Sequence, residues 1–310
     1  MRRTQLLVIV TGLVLFALAA PLWAQQTAFS KLWVVRNKSQ KDPRLVSKSG
    51  ELFLDEAGRK LTIKSEQKSS EINFDDVQKM VFEVTHSMRG YGGRAIAAQL
   101  AGGALAGALV AGQQVTNYVC YLEYKTPDGI LQHSVLEFPE DRQRDVNNKL
   151  QNIFGEKATV AKFEEKEQDV EKKTLKEVQS KQNVKVDKVH HPLPEIKPDK
   201  ALVVVVRPAA NARYAGKGNQ AKIHANDRVV LVTKIGTYNF CYLDPGEYLL
   251  VSQAENAEAI RINLEPGKDY YFIQNDRMGF WKGRTSFTRH SRELVMFHVS
   301  GAYYSDWQQK

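Results

Sequence analysis

The chain is poor in the residues and spacings from which common catalytic centres are built. Two cysteines in 310 residues exclude a disulfide-dense scaffold and a zinc site made of several thiolates. No Gly-x-Ser-x-Gly, no His-Glu-x-x-His and no Cys/His cluster occurs, so no nucleophile, metal or paired acid and base is announced by spacing. The glycines do not form a nucleotide cradle either. Gly90-x-Gly92 lacks the third spaced glycine and the downstream acid of a dinucleotide-binding unit, and Gly216-Lys217 lacks the upstream glycine of a phosphate loop. His86, His133, His224, His290 and His298 are scattered over predicted strands, where packing accounts for them. The formal charge is +9, but the basic residues are interspersed with acids. No basic stripe interleaved with aromatics is present, so nucleic acid is not an expected partner. The expectation is a protein that is not an enzyme, with no catalytic residues, no metal and no cofactor.

What is present begins with an export signal. Arg2 and Arg3 form a positive start, Leu6 to Ala20 an uncharged apolar stretch, and Pro21 breaks it before Leu22-Trp23-Ala24. Small Ala24 suits the position before cleavage and Gln25-Gln26 opens a polar mature chain, so residues 1–24 are predicted to be a cleavable signal. The competing reading, an uncleaved anchor, is weakened because the apolar stretch is short of the about 20 residues of a span. No cysteine follows the cleavage position, which removes a lipoprotein anchor. The expected location is periplasmic or extracellular, possible association with the envelope included. That compartment permits a disulfide between Cys120 and Cys241, one in each predicted domain; buried free thiols are the alternative.

Residues 29–155 read as a first domain. Leu52/Leu54 and Leu61/Ile63 alternate around a turn at Gly58, and Thr126-Pro127-Asp128-Gly129 turns the strand of Tyr118, Cys120, Leu122 and Tyr124 into Ile130–Phe138. Val146, Leu150, Ile153 and Phe154 then take helical spacing, and Gly155 is placed to end the helix. Strands followed by one amphipathic helix, with Gly50-Glu51-Leu52 and Ile72-Asn73-Phe74-Asp75-Asp76-Val77 as opening strands, resemble the bacterial pleckstrin-homology-like barrel. The resemblance implies a helix plugging one end of a bent sheet, and no binding residues are carried over from it.

Residues 90–113 form a glycine-rich insertion in this domain. Ala95 to Ala111 is uncharged, and Gly103, Gly107 and Ala111 stand four apart, a small-xxx-small spacing that lets helices approach closely. As a helix, Ala95–Ala111 covers about 25 Å, short of the about 30 Å hydrocarbon core. A single crossing would also separate strands of one sheet on opposite sides of a bilayer. A cover for the sheet, an oligomer seam or an interfacial helix remains, with Arg89 and Arg94 among lipid phosphates in the last case.

Residues 156–200 are a charged connector. The run Glu164 to Lys173 is predicted to be a solvated helix, and His190-His191-Pro192-Leu193-Pro194 an extended linker. Adjacent histidines in extended backbone diverge, so no metal site is expected there. Residues 201–310 read as short antiparallel strands, a sandwich, including a closing strand at Leu294–Val299. Leu202–Arg207, Asn226-Asp227-Arg228-Val229, Leu243-Asp244-Pro245-Gly246-Glu247-Tyr248 and Pro266-Gly267-Lys268-Asp269-Tyr270-Tyr271 resemble the bacterial domain of unknown function 2846. That family is a prealbumin-like sandwich of exported proteins, and the resemblance implies a fold and a compartment but no reaction.

The fold class expected is therefore mainly β (α+β). It comprises a pleckstrin-homology-like barrel with C-terminal helix and glycine-rich helical insertion, a charged helical linker and an antiparallel sandwich. The leading function is a non-catalytic envelope protein with a binding or assembly role, touching a membrane surface or a second copy through residues 95–112. The alternative is a soluble glycan- or peptidoglycan-binding protein using the aromatic, basic tail around Trp281 and Arg284. Expressed in a bacterial host, the exported chain is expected to begin at Gln25 on N-terminal sequencing; a product retaining residues 1–24 would sink the cleavable signal.

Overall fold

The computed structural model describes residues 26–37, 45–66, 68–88, 114–163, 167–169, 183–209, 220–254, 257–278 and 283–307. The signal and the glycine-rich insertion lie outside them. The described chain is mainly β, with three sheets, none of which closes into a barrel.

The first sheet contains β1 (Gln26–Asn37), β2 (Leu45–Asp55), β3 (Lys60–Ser65), β4 (Lys68–Asn73), β5 (Val77–Met88), β6 (Gln114–Lys125), β7 (Leu131–Pro139) and β8 (Ala158–Val160). Its order is β4-β3-β2-β1-β7-β6-β5-β8. Among the described residues the two halves are hydrogen-bonded where Trp33–Val35 pairs with Val135–Glu137. Period-two alternation sends Leu52, Leu54, Leu61 and Ile63 from one half, and Phe82, Cys120, Leu122 and Leu136 from the other, into a single core. Helix α1 (Glu140–Phe154) completes that core with Val146, Leu150 and Phe154. Its end reaches the far half, where the Phe154 and Phe74 rings meet edge to face at 5.0 Å. One helix touching both halves requires the sheet to wrap round it. The predicted stop is present, with Gly155 at φ 51°, a left-handed conformation that a side chain disfavours.

Two further sheets share the second core. One has the order β10-β19-β14-β11-β17-β18, from β10 (Lys185–Asp187), β11 (Ala201–Arg207), β14 (Thr237–Leu243), β17 (Asp269–Met278), β18 (Gly283–His290) and β19 (Tyr303–Asp306). The other has the order β13-β12-β15-β16-β9, from β9 (Glu167–Asp169), β12 (Gln220–Ala225), β13 (Arg228–Lys234), β15 (Gly246–Gln253) and β16 (Ala257–Leu264). Ala201, Val203, Val205 and Phe272 of the first pack against Ile223, Leu231, Leu250 and Ile260 of the second. Asn226 adopts φ 57° in the predicted two-residue turn between β12 and β13.

Three local expectations are corrected. Leu294–Val299 is not a strand but most of helix α2 (Arg292–Ser300), because the Ser291 hydroxyl caps it by accepting the Leu294 N–H. Its β-branched residues and burial of Leu294, Val295, Phe297 and Val299 hide the helical period. Within the run predicted as a solvated helix, Glu167–Asp169 is instead strand β9, extended by pairing with Ile260–Glu258 of β16; the rest of that run lies outside the described residues. The connector at His190–Pro194, predicted as an extended linker, is fastened down. Tyr238 and Tyr242 hydroxyls donate to the carbonyls of Pro192 (2.9 Å) and Glu195 (2.7 Å), and the Lys197 ammonium lies 4.1 Å over the Tyr242 ring.

The two domains are not independent beads. Val81, Val119, Tyr121 and Val135 on the outer face of the first sheet share one buried cluster with Leu202, Val204, Val206 and α2 of the second domain. Chemical unfolding is therefore expected to give one transition, with far-ultraviolet ellipticity and tryptophan fluorescence changing together. Two separated transitions would show that this interface does not couple the domains.

Candidate functional site

The β5–β6 hairpin is the arm that carries the glycine-rich insertion. Its register runs from Val77 opposite Tyr124 to Met88 opposite Gln114, so the chain leaves and returns at neighbouring positions about 5 Å apart. A segment with both ends on one side cannot cross a bilayer once. Arg89, Arg94, Gly103, Gly107 and Ala111 lie outside the described residues. At the base of the arm, Val84 and Val160 are 43% and 41% exposed. They border a small apolar cavity of about 30 Å³ with Phe82, Tyr118, Phe138 and Val146. Among the described residues no helix is long and apolar enough to cross a membrane.

On the opposite face of β5, Glu83 points into the domain interface, where it is 3% exposed. Its carboxylate accepts hydrogen bonds from the His290 Nδ1 (2.9 Å), the Ser291 N–H (3.2 Å) and the Ser291 hydroxyl (2.5 Å). His290 Nε2 lies 2.7 Å from the Thr288 hydroxyl. Ser291 also caps α2, so a carboxylate of one domain sits at a helix N-terminus of the other, where the aligned peptide dipoles favour negative charge. Lys79 and Glu293 pair across the same interface.

Thr288, His290 and Glu83 thus stand in the order hydroxyl, imidazole, carboxylate, the sequence of contacts found in hydrolytic triads. Access distinguishes them from such a site. The three residues are 9%, 2% and 3% exposed, and the neighbouring cavity is lined by neither Thr288 nor His290. The arrangement satisfies a buried carboxylate and joins two domains.

The remaining predicted positions do not converge. Trp281 lies outside the described residues; Arg284 is on β18 opposite Arg277, with its side chain outside the description. Cys120 and Cys241 are free and occupy separate cores, so the permitted bridge is not formed. Burial pushes the Cys120 thiol up and the Cys241 thiol up to about 12, leaving neither as a thiolate nucleophile. No group of three or more His, Cys, Asp or Glu that could hold a metal occurs among the described residues. The Glu83 cluster escaped sequence reasoning because its halves are more than two hundred positions apart. The visible signal was a His-Ser pair directly before a helix start. No protein-family model matches the chain, and no curated protein matches its sequence.

Two partly exposed residues give the interface an opposed pH response. Burial, reinforced by His290, holds the His298 imidazole down at about 4, against the pull of Glu83, and its Nδ1 has no hydrogen-bond partner among the described residues. Between about pH 4 and 6.5 the unfolded chain binds the proton more readily, so this group costs stability as pH falls. Burial pushes the Glu137 carboxyl up to about 7. Between pH 4.5 and about 7 the folded chain holds that proton, so this group costs stability as pH rises. His298→Gln is expected to gain on wild type as pH falls, and Glu137→Gln to gain as pH rises, by up to about 1.4 kcal/mol per pH unit. Urea unfolding at several pH values measures both; curves parallel to wild type would sink the assignment.

Proposed function

We propose that the protein is a non-catalytic, exported envelope protein whose two-domain body presents residues 95–112 to a membrane surface or to a second copy of the chain. The single observation behind this reading is the β5–β6 register, which brings both ends of an uncharged glycine- and alanine-rich segment to the tip of one hairpin. A long apolar stretch at one site on a surface marks a contact with lipid or protein. The exposed Val84 and Val160 extend that apolar character to the hairpin's base.

Two finer fold assignments accompany it. The order β4-β3-β2-β1-β7-β6-β5 with a C-terminal helix in the core supports a pleckstrin-homology-like first domain. The shared core of the other two sheets supports a prealbumin-like sandwich. The export signal supports a periplasmic or extracellular chain.

Flotation with phosphatidylglycerol-containing vesicles and light scattering test the contact. The mature chain is expected to float or to self-associate, deletion of residues 90–113 to abolish the behaviour, and Gly103→Leu with Gly107→Leu to weaken close helix pairing. A wild type that neither floats nor associates overturns the reading.

A further inference from the structure

The second sheet of the sandwich, β13-β12-β15-β16-β9, carries a buried band on the face turned away from its core. Alternation sets that face. In β13, β15 and β16 the inward residues include Leu231, Leu250 and Ile260, so their neighbours Val232, Val251 and Ala259 point outward. Register aligns the band across the sheet: His224 of β12 stands opposite Val251, Val251 opposite Ala259, and Gln253 opposite Ala257. Val232, Val251 and Ala259 are wholly buried, and His224 and Ala257 nearly so. Further along the same face Glu247, Arg261 and Asn263 are exposed. Neighbours within a sheet cannot close off a side chain that stands perpendicular to it, so another layer covers the band. Among the described residues the apolar cluster of Val251, Ala257 and Ala259 is joined only by Leu249, from the same face. Burial also holds the His224 imidazole and the Lys222 ammonium down, as exclusion of water from this face requires.

The path of the chain identifies the cover. Strand β9 ends at Asp169, opposite Glu258 of β16 and so at one end of the band. The described chain resumes beside the other end. There the Val184 carbonyl accepts the Lys234 ammonium of β13 (2.8 Å). Val186 of β10 pairs with Ser305, whose hydroxyl donates to the Val232 carbonyl (2.8 Å). From β9 to β13 is four strand spacings, about 19 Å. The intervening residues 170–182 would cover about 20 Å as a helix. The outer face of the other sheet is already occupied, by the first domain against Leu202, Val204 and Val206 and by residues 192–197 against Tyr238 and Tyr242. At helical spacing Val170, Thr174, Leu175 and Val178 share one side, and Lys172, Lys173 and Lys176 the other. We propose that residues 170–182 lie across the outer face of the second sheet and seal the band with that apolar side, so that the connector girdles the sandwich. This is independent of the role given to the glycine-rich arm.

Two measurements on the mature chain test this. In the unaltered protein, hydrogen exchange of amides 170–182 is expected to be slowed about tenfold or more against an unstructured peptide; exchange at the peptide's rate overturns the proposal. A thiol placed beneath the cover then reads what the cover is. Val251→Cys is expected to resist a thiol reagent in the native chain, with wild type correcting for Cys120 and Cys241. Adding Leu175→Lys and Val178→Lys is expected to speed its labelling about tenfold or more, whereas deleting residues 90–113 leaves it unchanged. An unchanged thermal melt certifies the fold of each variant, and where a variant fails to fold the exchange of the unaltered chain decides. Protection of the thiol that survives the two lysines overturns the proposal. Protection that falls on dilution, as cover by a second copy would, or that is lost with residues 90–113, does the same.

Discussion

Every residue of Ala201–Arg207 is buried, and that double burial of β11 constrains the rest of the molecule. Alternate side chains of a strand point to opposite faces. Ala201, Val203 and Val205 fill the space between the two sheets, which leaves Leu202, Val204 and Val206 on the outside of the sandwich. An apolar stripe there is stable only when covered. The cover is the first domain's sheet, whose outer face carries Val81, Val119 and Val135 in place of the usual polar residues. Placing Glu83 amid this apolar contact requires full compensation, since an ion taken from water is costly unless its lone pairs are occupied. Three donors from His290 and Ser291 supply that. Removing one partner would strand the other, so the cluster orients the two domains more than it strengthens them.

Much of this architecture is readable from local pattern. The hairpins at Leu52–Ile63 and Tyr118–Phe138, the helix ending at Gly155 and the Asn226-Asp227 turn all depend on neighbours within a few positions. The uninterrupted apolar run at Leu202–Val206 was legible as a buried strand, but not what buries its second face. Helix α2 was misread because Val295 and Val299 favour strands, whereas the deciding contact is one serine cap. The connector was misread because charge density suggested a solvated helix, whereas the backbone of Glu167–Asp169 is captured by the edge of β16. Tertiary pairing overrides propensity in both cases. Of the candidate site residues, the glycines and arginines of the insertion were visible as composition. The Glu83 cluster was not, because it joins residues by folding alone.

The geometry also separates roles in space. The arm that bears the insertion belongs to the first sheet, and the sandwich is joined to that sheet by a packed interface with a satisfied polar centre. The triad-like order of Thr288, His290 and Glu83 illustrates why chemistry follows from access as well as from contact. The same three groups at the rim of a cleft would invite a nucleophilic reading; enclosed between two domains they act as a fastener.

The fastening of the connector alters where this chain can be divided. By composition the second domain opens at Ala201, after the last linker proline. A fragment begun there would lose β9 and β10, exposing the hydrogen-bonding edges of β16 and β19, and unprotected edges recruit other strands. It would also bare the Tyr238–Tyr304 and Phe240–Tyr242 ring pairs on the face where Pro192 and Glu195 now lie. The smallest self-contained unit thus reaches back into the charged segment, and what reads as a tether is structurally part of the domain it precedes.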